Sequence, residues 1–496
     1  MAFLRQRRQI GTAALLTLVA LALRAPDFGN PVIHVDEQWY LLVGDRMLGG
    51  AIPYLDLWDR KPVGLFLLYA GIRLLGGEGV IQYQLVATAF AATTAIVVAH
   101  AARAVGARER GAAAAGVAYL LGLTLLGGRG GQAPVFYDLP VAVAGLLTLR
   151  LPTTRKRSRI LARGAAACLL AGLAIQLKQT AAVEGAFVGL AHLAFLRRAG
   201  ARWPTVALAA VPLAAIGLAP TIAAGAWYAG RGAFEAWWFA NFTSITLRPG
   251  YPLDQLVMRL LGIGAVLAPL GLAVAQGRRG APPALRLAHA WLGAALLAFA
   301  MVGTWFDHYA LPLLAPLAIA AAPALGRSPR LLVATLGLMA TVAGVERLRA
   351  HDDGPGARAV AAAVARYGGR GCPYVFMGDT VTYLLAHAGT PTAYAFPNLL
   401  AYTTEQGATG IDEAAEVRRV LVARPPVIVT VDRRLEIWNR GSLAALRAVL
   451  PQYRLVMKVP RSGWHTLVYI RRDLPSRLRE GSGEGMSSTP EEYFLL

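Results

Sequence analysis

Eleven apolar stretches follow one another near residues 9–25, 80–102, 111–127, 138–151, 160–177, 180–196, 204–224, 257–276, 286–304, 309–326 and 330–346. Most approach the 17–25 residues that a helix needs to cross a hydrocarbon core roughly 30 Å thick. Lipid offers no water to an unpaired N–H or C=O, so a spanning stretch of this kind must be helical. Pro212, Pro220, Pro269, Pro312 and Pro316 fall inside these stretches, as membrane helices tolerate. The expected fold class is a polytopic α-helical membrane protein with about 11 transmembrane helices. Composition agrees: 56% of residues are hydrophobic and only 16% charged, against roughly a quarter in soluble domains. A chain this apolar is no nucleic-acid binder despite its net charge of +21, and membrane lipids are its expected surroundings. Cys168 lies inside an apolar run and Cys372 far beyond it, so no bridge is expected.

The charges orient the spans. With Arg5, Arg7 and Arg8 inside, the inner side carries 20 basic residues and one acid, Glu109, through residue 346. Arg278 and Arg279 belong to one of these inner loops. The outer side carries 10 basic and 13 acidic residues. That asymmetry is what the positive-inside bias produces, so the basic balance records orientation rather than an anionic partner. The expected location is a bacterial inner (plasma) membrane, with a cytoplasmic N-terminus. Ala20-Leu21-Ala22 also resembles a signal-peptide cleavage region, so the first run is either a retained helix or a cleaved signal.

The segment 61–77 is apolar but short and contains Arg73. If it spanned, every later basic cluster would lie outside, so it is expected as an interfacial or re-entrant helix. From residue 347 the pattern changes to short strand-like runs, 374–377, 427–431 and 466–470, with a polar helical stretch from Asp412 to Val422. The domain reading is therefore a transmembrane domain, 1–346, which includes a first outer loop at 26–79. A periplasmic α/β domain follows at 347–479, and 480–496, rich in Gly, Ser and Glu, is read as a disordered tail.

Ionisable groups on the expected outer face form a candidate site. Asp36 and Glu37 follow the first span, and Asp59, Arg60 and Lys61 lie farther along the same loop. Tyr137-Asp138 opens the fourth span, Lys178 closes the fifth, and Asp307-His308-Tyr309 fills the turn between spans nine and ten. An ionisable group at membrane depth costs a few kcal/mol, so a paired or functional role is the default. The bland alternatives are a snorkelling Lys178, a locally bonded His308 and a helix-capping Asp138. The set suits group transfer from a lipid phosphate: a carboxylate can take a proton from an acceptor hydroxyl, and cations can balance a departing phosphate. No nucleotide-binding fingerprint occurs in the inner loops. A divalent cation held by Asp36 and Asp138 is possible, though no ligand spacing demands one. Trp237, Trp238, Asn241 and Phe242 fit interface anchors or acceptor contacts.

In order and topology these residues resemble the GT-C membrane glycosyltransferases of family 39 type, which include protein O-mannosyltransferases and aminoarabinose lipid A transferases. The resemblance covers roughly residues 10–325 and rests on Asp36-Glu37, Lys61-Pro62, Asp138, GLAIQLKQT and HYALPLLAPLAI. Val63 stands where relatives often have a second proline. The block 378–396 is similar to the soluble segment after the last span of bacterial relatives. The resemblance implies a polyprenyl-phosphate sugar donor and transfer at the periplasmic face, with Asp36 as catalytic base and Glu37 beside it. It implies phosphate contacts from Lys61, Lys178 and His308, with Asp138 lining the pocket. The acceptor stays open among glycan, lipid and protein hydroxyls. A transporter or flippase of a lipid-linked substrate is the alternative, but it calls for charges at span centres and an internal repeat, and the sequence offers neither. A non-catalytic scaffold is the third reading.

Overall fold

The computed structural model describes residues 2–277, 281–369, 371–433 and 435–474. Arg278, Arg279, the side chain of Arg5 and the tail 480–496 lie outside the described residues. The chain packs as two compact units. The first comprises Met1–Gly29, Lys61–Trp237 and Gly250–Ala350, and the second Asn30–Arg60, Trp238–Pro249 and His351–Leu496. The sequence reading placed the whole loop 26–79 in the membrane domain. Residues 30–60 of that loop pack in the same compact unit as the C-terminal chain.

Before residue 350 the helices used below are α1 (Ala2–Arg24), α2 (Val35–Leu48), α3 (Val63–Arg73), α4 (Val80–Ala104), α5 (Glu109–Leu125) and α6 (Ala133–Leu149). They continue as α7 (Arg157–Ile175), α8 (Ala181–Arg198), α9 (Trp203–Ala229), α10 (Leu253–Ala275), α11 (Pro283–Val302), α12 (Leu314–Arg327) and α13 (Pro329–Arg349). All but α2 belong to the first unit, and eleven of them fall on the eleven apolar stretches. Among the described residues, nine helices are long and apolar enough to cross a membrane. The other two, α5 and α8, have 17 and 18 residues; α5 opens on Glu109-Arg110, and α8 carries Glu184 and ends in Arg197-Arg198. The tenth apolar stretch starts as a 3-10 turn, Asp307–Leu313, because Pro312 interrupts the α-helical ladder. Alanine-rich faces of α5, α10, α12 and α13 pack around Leu121, Leu270, Leu325 and Met339. The segment 61–77 forms α3, 11 residues long, which buries Leu65, Phe66, Tyr69 and Ile72 and exposes Leu67, with Leu74 and Leu75 exposed just beyond its end. One buried face and one bare apolar face are what an interfacial helix needs.

In the second unit, a four-stranded sheet is built from β1 (Tyr374–Val375), β2 (Val427–Val431), β3 (Tyr453–Arg461) and β4 (Trp464–Arg471), in the order β1-β2-β4-β3. β1 and β2 are parallel and the other pairs antiparallel. Strands β1, β2 and β4 lie on the three strand-like runs; β3 is an addition. The polar stretch after Asp412 is a helix, Glu413–Val422, whose N-cap Asp412 accepts from Ala415 N at 2.9 Å. Tyr374, Phe376, Val417, Ile428, Leu446 and Leu467 share the core of this unit. Both cysteines are free, Cys168 buried and Cys372 exposed.

Candidate active site

In the first unit, α6 carries Tyr137 and Asp138 in its early turns, both buried. Asp138 Oδ2 accepts from the Tyr119 hydroxyl of α5 at 3.0 Å. Lys178 follows α7, only 7% exposed, and its Nζ sits 3.9 Å from the centroid of the Tyr309 ring. That contact stabilises a desolvated ammonium without neutralising it. His308 packs on the same ring, with centroids 4.5 Å apart, and on Phe306 at 5.8 Å. Asp307 Oδ1 accepts from His308 N at 2.8 Å, which fixes the turn. Trp305, just before it, has φ +41, a left-handed conformation that a bulky residue adopts only under constraint.

One member of this cluster escaped the sequence reading. Glu184, in the first turn of α8, is 2% exposed and accepts from Trp291 Nε1 of α11 at 2.7 Å. Gly145 makes that bond possible, because a Cβ there would lie 2.4 Å from the Trp291 ring. Asp138 lies within electrostatic reach of both Glu184 and Lys178. The criterion applied to Asp138, an acid inside an apolar helix, would have found Glu184 as well. Buried carboxylates beside a buried ammonium match the pattern of an intramembrane site.

Two further groups position the cluster. Arg24, buried at the end of α1, donates to the carbonyls of Gly128 and Gly130, each at 2.6 Å, and to Thr88 Oγ1 at 3.0 Å. The Tyr69 hydroxyl donates to Gly131 O at 2.6 Å. Together they pin the loop that leads into α6. Lys61 stands just before α3, whose Gly64 approaches Gln176 so closely that a Cβ would meet its backbone oxygen at 2.7 Å. Gln176 is two residues before Lys178, so this glycine sets the spacing between two lysine-bearing segments.

In the second unit, Asp36 and Glu37 occupy the first turn of α2, Asp36 half-buried and Glu37 fully buried. His34 is the N-cap, its Nδ1 accepting from Asp36 N at 3.3 Å. Carboxylates in a first turn are favoured by the helix dipole. The next residue, Gln38, donates to Asp379 Oδ1 at 3.4 Å and accepts from Val381 N at 3.3 Å. Asp379 also accepts from Arg461 Nη2 at 2.5 Å. The start of the block 378–396 is therefore bonded to α2 through Gln38.

Asp59 and Arg60, expected at the substrate, have internal partners. Asp59 Oδ1 accepts from Arg60 N at 2.5 Å. Arg60 donates to Glu405 Oε2 at 2.5 Å, Ser244 Oγ at 2.6 Å and Ala408 O at 3.3 Å, with its guanidinium 5.0 Å from the Trp58 ring. Arg248 takes the other Glu405 oxygen at 2.6 Å. Burial lowers the Arg60 pKa from its usual value, while the Glu405 charge pulls it back up. Asp36 and Glu37 lie in one compact unit, and Lys61, Tyr137, Asp138, Lys178, His308 and Tyr309 in the other. Among the described residues, no group of three or more His, Cys, Asp or Glu converges to hold a metal ion.

No protein-family model matches the sequence, and no curated protein matches it. Among solved structures, ArnT from Cupriavidus metallidurans bound to undecaprenyl phosphate aligns at TM-score 0.60 and 17% identity, over 93% of this chain and 97% of that one. The fold is shared with ArnT. The apo structure of ArnT aligns equally, at TM-score 0.60 and 17% identity, covering 93% of this chain and 98% of its own. This is the fold that the sequence led one to expect: a polytopic helical membrane part with a small-sheet C-terminal domain.

Proposed function

We propose that the chain is an inverting glycosyltransferase that moves a sugar from a polyprenyl-phosphate donor to a hydroxyl of a cell-envelope glycan, lipid or protein. The observation that carries the reading is the buried cluster of the first unit, in which Lys178, Asp138 and His308 sit among aromatic rings. The shared fold with ArnT, solved with undecaprenyl phosphate, supports a polyprenyl-phosphate-linked donor. Asp36 takes the proton of the acceptor hydroxyl, with Glu37 beside it. The oxygen attacks the anomeric carbon as the carbon–oxygen bond to phosphate breaks. Lys61, Lys178 and His308 balance the charge on the departing polyprenyl phosphate, and Tyr137, Asp138 and Tyr309 line its pocket. The transferred group is a hexosyl or pentosyl unit. The site faces the periplasm of a bacterial inner membrane, with the N-terminus cytoplasmic, as the charge asymmetry supports. Asp36→Asn tests the base. Transfer should fall by about 10²-fold or more while the protein accumulates in membranes normally. Undiminished transfer in that variant sinks the assignment.

A further inference from the structure

We infer that the lipid-facing surface of the first unit carries a binding groove for an anionic glycerophospholipid, with one acyl chain along α8 and the phosphate at Arg198. A groove of about 450 Å³ runs between α8 and α11. Its α8 wall follows helical spacing from Val183 through Phe187, Leu190 and Ala194 to Arg198, and its α11 wall is Leu287, Ala294 and Leu297. The small side chains of Ala186, Ala191, Ala194 and Ala294 among larger apolar ones leave the room that makes the channel. Leu190 and Leu297 are 67% and 56% exposed, which suits a lipid-facing surface.

The one charged lining residue gives the groove its polarity. The Arg198 guanidinium lies 4.8 Å from the centroid of the Phe195 ring, which is itself part of the wall. It is thereby held at the mouth of an otherwise apolar channel. Its neighbour Arg197 lies 5.4 Å from the ring centroid of Trp203, which is 69% exposed. An exposed tryptophan paired with arginine marks the headgroup level of a bilayer. Segments 150–163 and 197–202 supply six and three basic residues and contain no Asp or Glu. They are tied together by Arg157 Nε, which donates to Ala199 O at 3.0 Å. A basic end on an interhelical groove is what recognises an anionic headgroup. From Ala181 to Arg198 α8 rises about 25 Å, so this headgroup sits at the far end of the helix from Glu184 and is no donor phosphate.

The test uses the purified full chain in mild detergent and native mass spectrometry, with phosphatidylglycerol and phosphatidylcholine of identical chains as probes. The wild type should retain one phosphatidylglycerol with about fivefold preference over phosphatidylcholine. Arg198→Ala should abolish the preference, and Ala194→Trp should reduce retention of both lipids by filling the channel. Ala186→Leu, a milder filling, covers the case in which the tryptophan variant does not fold. Equal retention of both probes by the wild type overturns the proposal, as does a preference that survives Arg198→Ala or retention that survives both filling variants. Stronger retention of undecaprenyl phosphate at this same groove also overturns it, by assigning the channel to a polyprenyl lipid.

Discussion

Asp36 and Glu37 are adjacent in sequence, yet their environments differ: one is half-buried in a helical first turn, the other wholly enclosed. A base must reach its substrate, which favours Asp36 for that role and leaves Glu37 to shape the turn. Glu37→Gln should therefore lower transfer less than Asp36→Asn, as measured by initial rates on the same donor. Beneath them lies Arg461, whose side chain is 2% exposed and paired with Asp379. Arg461→Met leaves Asp379 buried without its cation and should destabilise the second unit by about 3–5 kcal/mol. Thermal unfolding followed by tryptophan fluorescence would show it, and pairing the change with Asp379→Asn should recover much of the loss. The residue-level signals differ in how well they could be read. Asp138 and Lys178 were legible because a charge in an apolar run stands out, and Glu184 was missed although it stands out on the same ground. The ion pair of Arg60 was not legible, because its partner Glu405 lies 345 residues away.

Among the elements, α3 is seated by a glycine rather than by a strong contact. Gly64→Ala places a methyl 2.6 Å from Gln176 Cβ, so the start of the helix must shift, and Lys61 with it. Donor KM should rise several-fold with little change in the amount of folded protein, measured by donor titration. The link between α8 and α11 can be tested by removing its donor. Trp291→Phe strands the buried Glu184 carboxylate and should cost about 1–3 kcal/mol, read as a lower melting temperature in detergent. Nine helices, among the described residues, are long and apolar enough to cross a membrane, and helices were readable at all eleven apolar stretches. Strand β3 was not. It lies at the sheet edge, carries Pro460 and shifts register between Leu455 and Met457, so its side chains never alternate cleanly.

For the whole molecule, the charge distribution supports the proposed orientation and the packing divides the chain into two units. In a background without Cys168 and Cys372, a single cysteine at Asp352 should react with an impermeant maleimide from the periplasmic side of an intact inner membrane, and one at Ser158 only after that membrane is permeabilised. Labelling of both from one side would contradict the assigned topology. The boundary at Asn30–Arg60 could not be read from the sequence. Those residues sit next to membrane spans in the chain, but they are held by contacts such as Trp58 N to Ala393 O at 2.8 Å and Arg46 Nη2 to Ala388 O at 2.7 Å. Pairings separated by more than 300 residues leave no local pattern.

The most direct test of glycosyl transfer is mass spectrometry of envelope glycans and lipids from a strain lacking the protein, complemented with the wild type or with Asp36→Asn. The reading predicts one sugar missing from one class of molecule, restored by the wild type and still missing with the variant. Restoration by Asp36→Asn, or an envelope unchanged by the deletion, would contradict it.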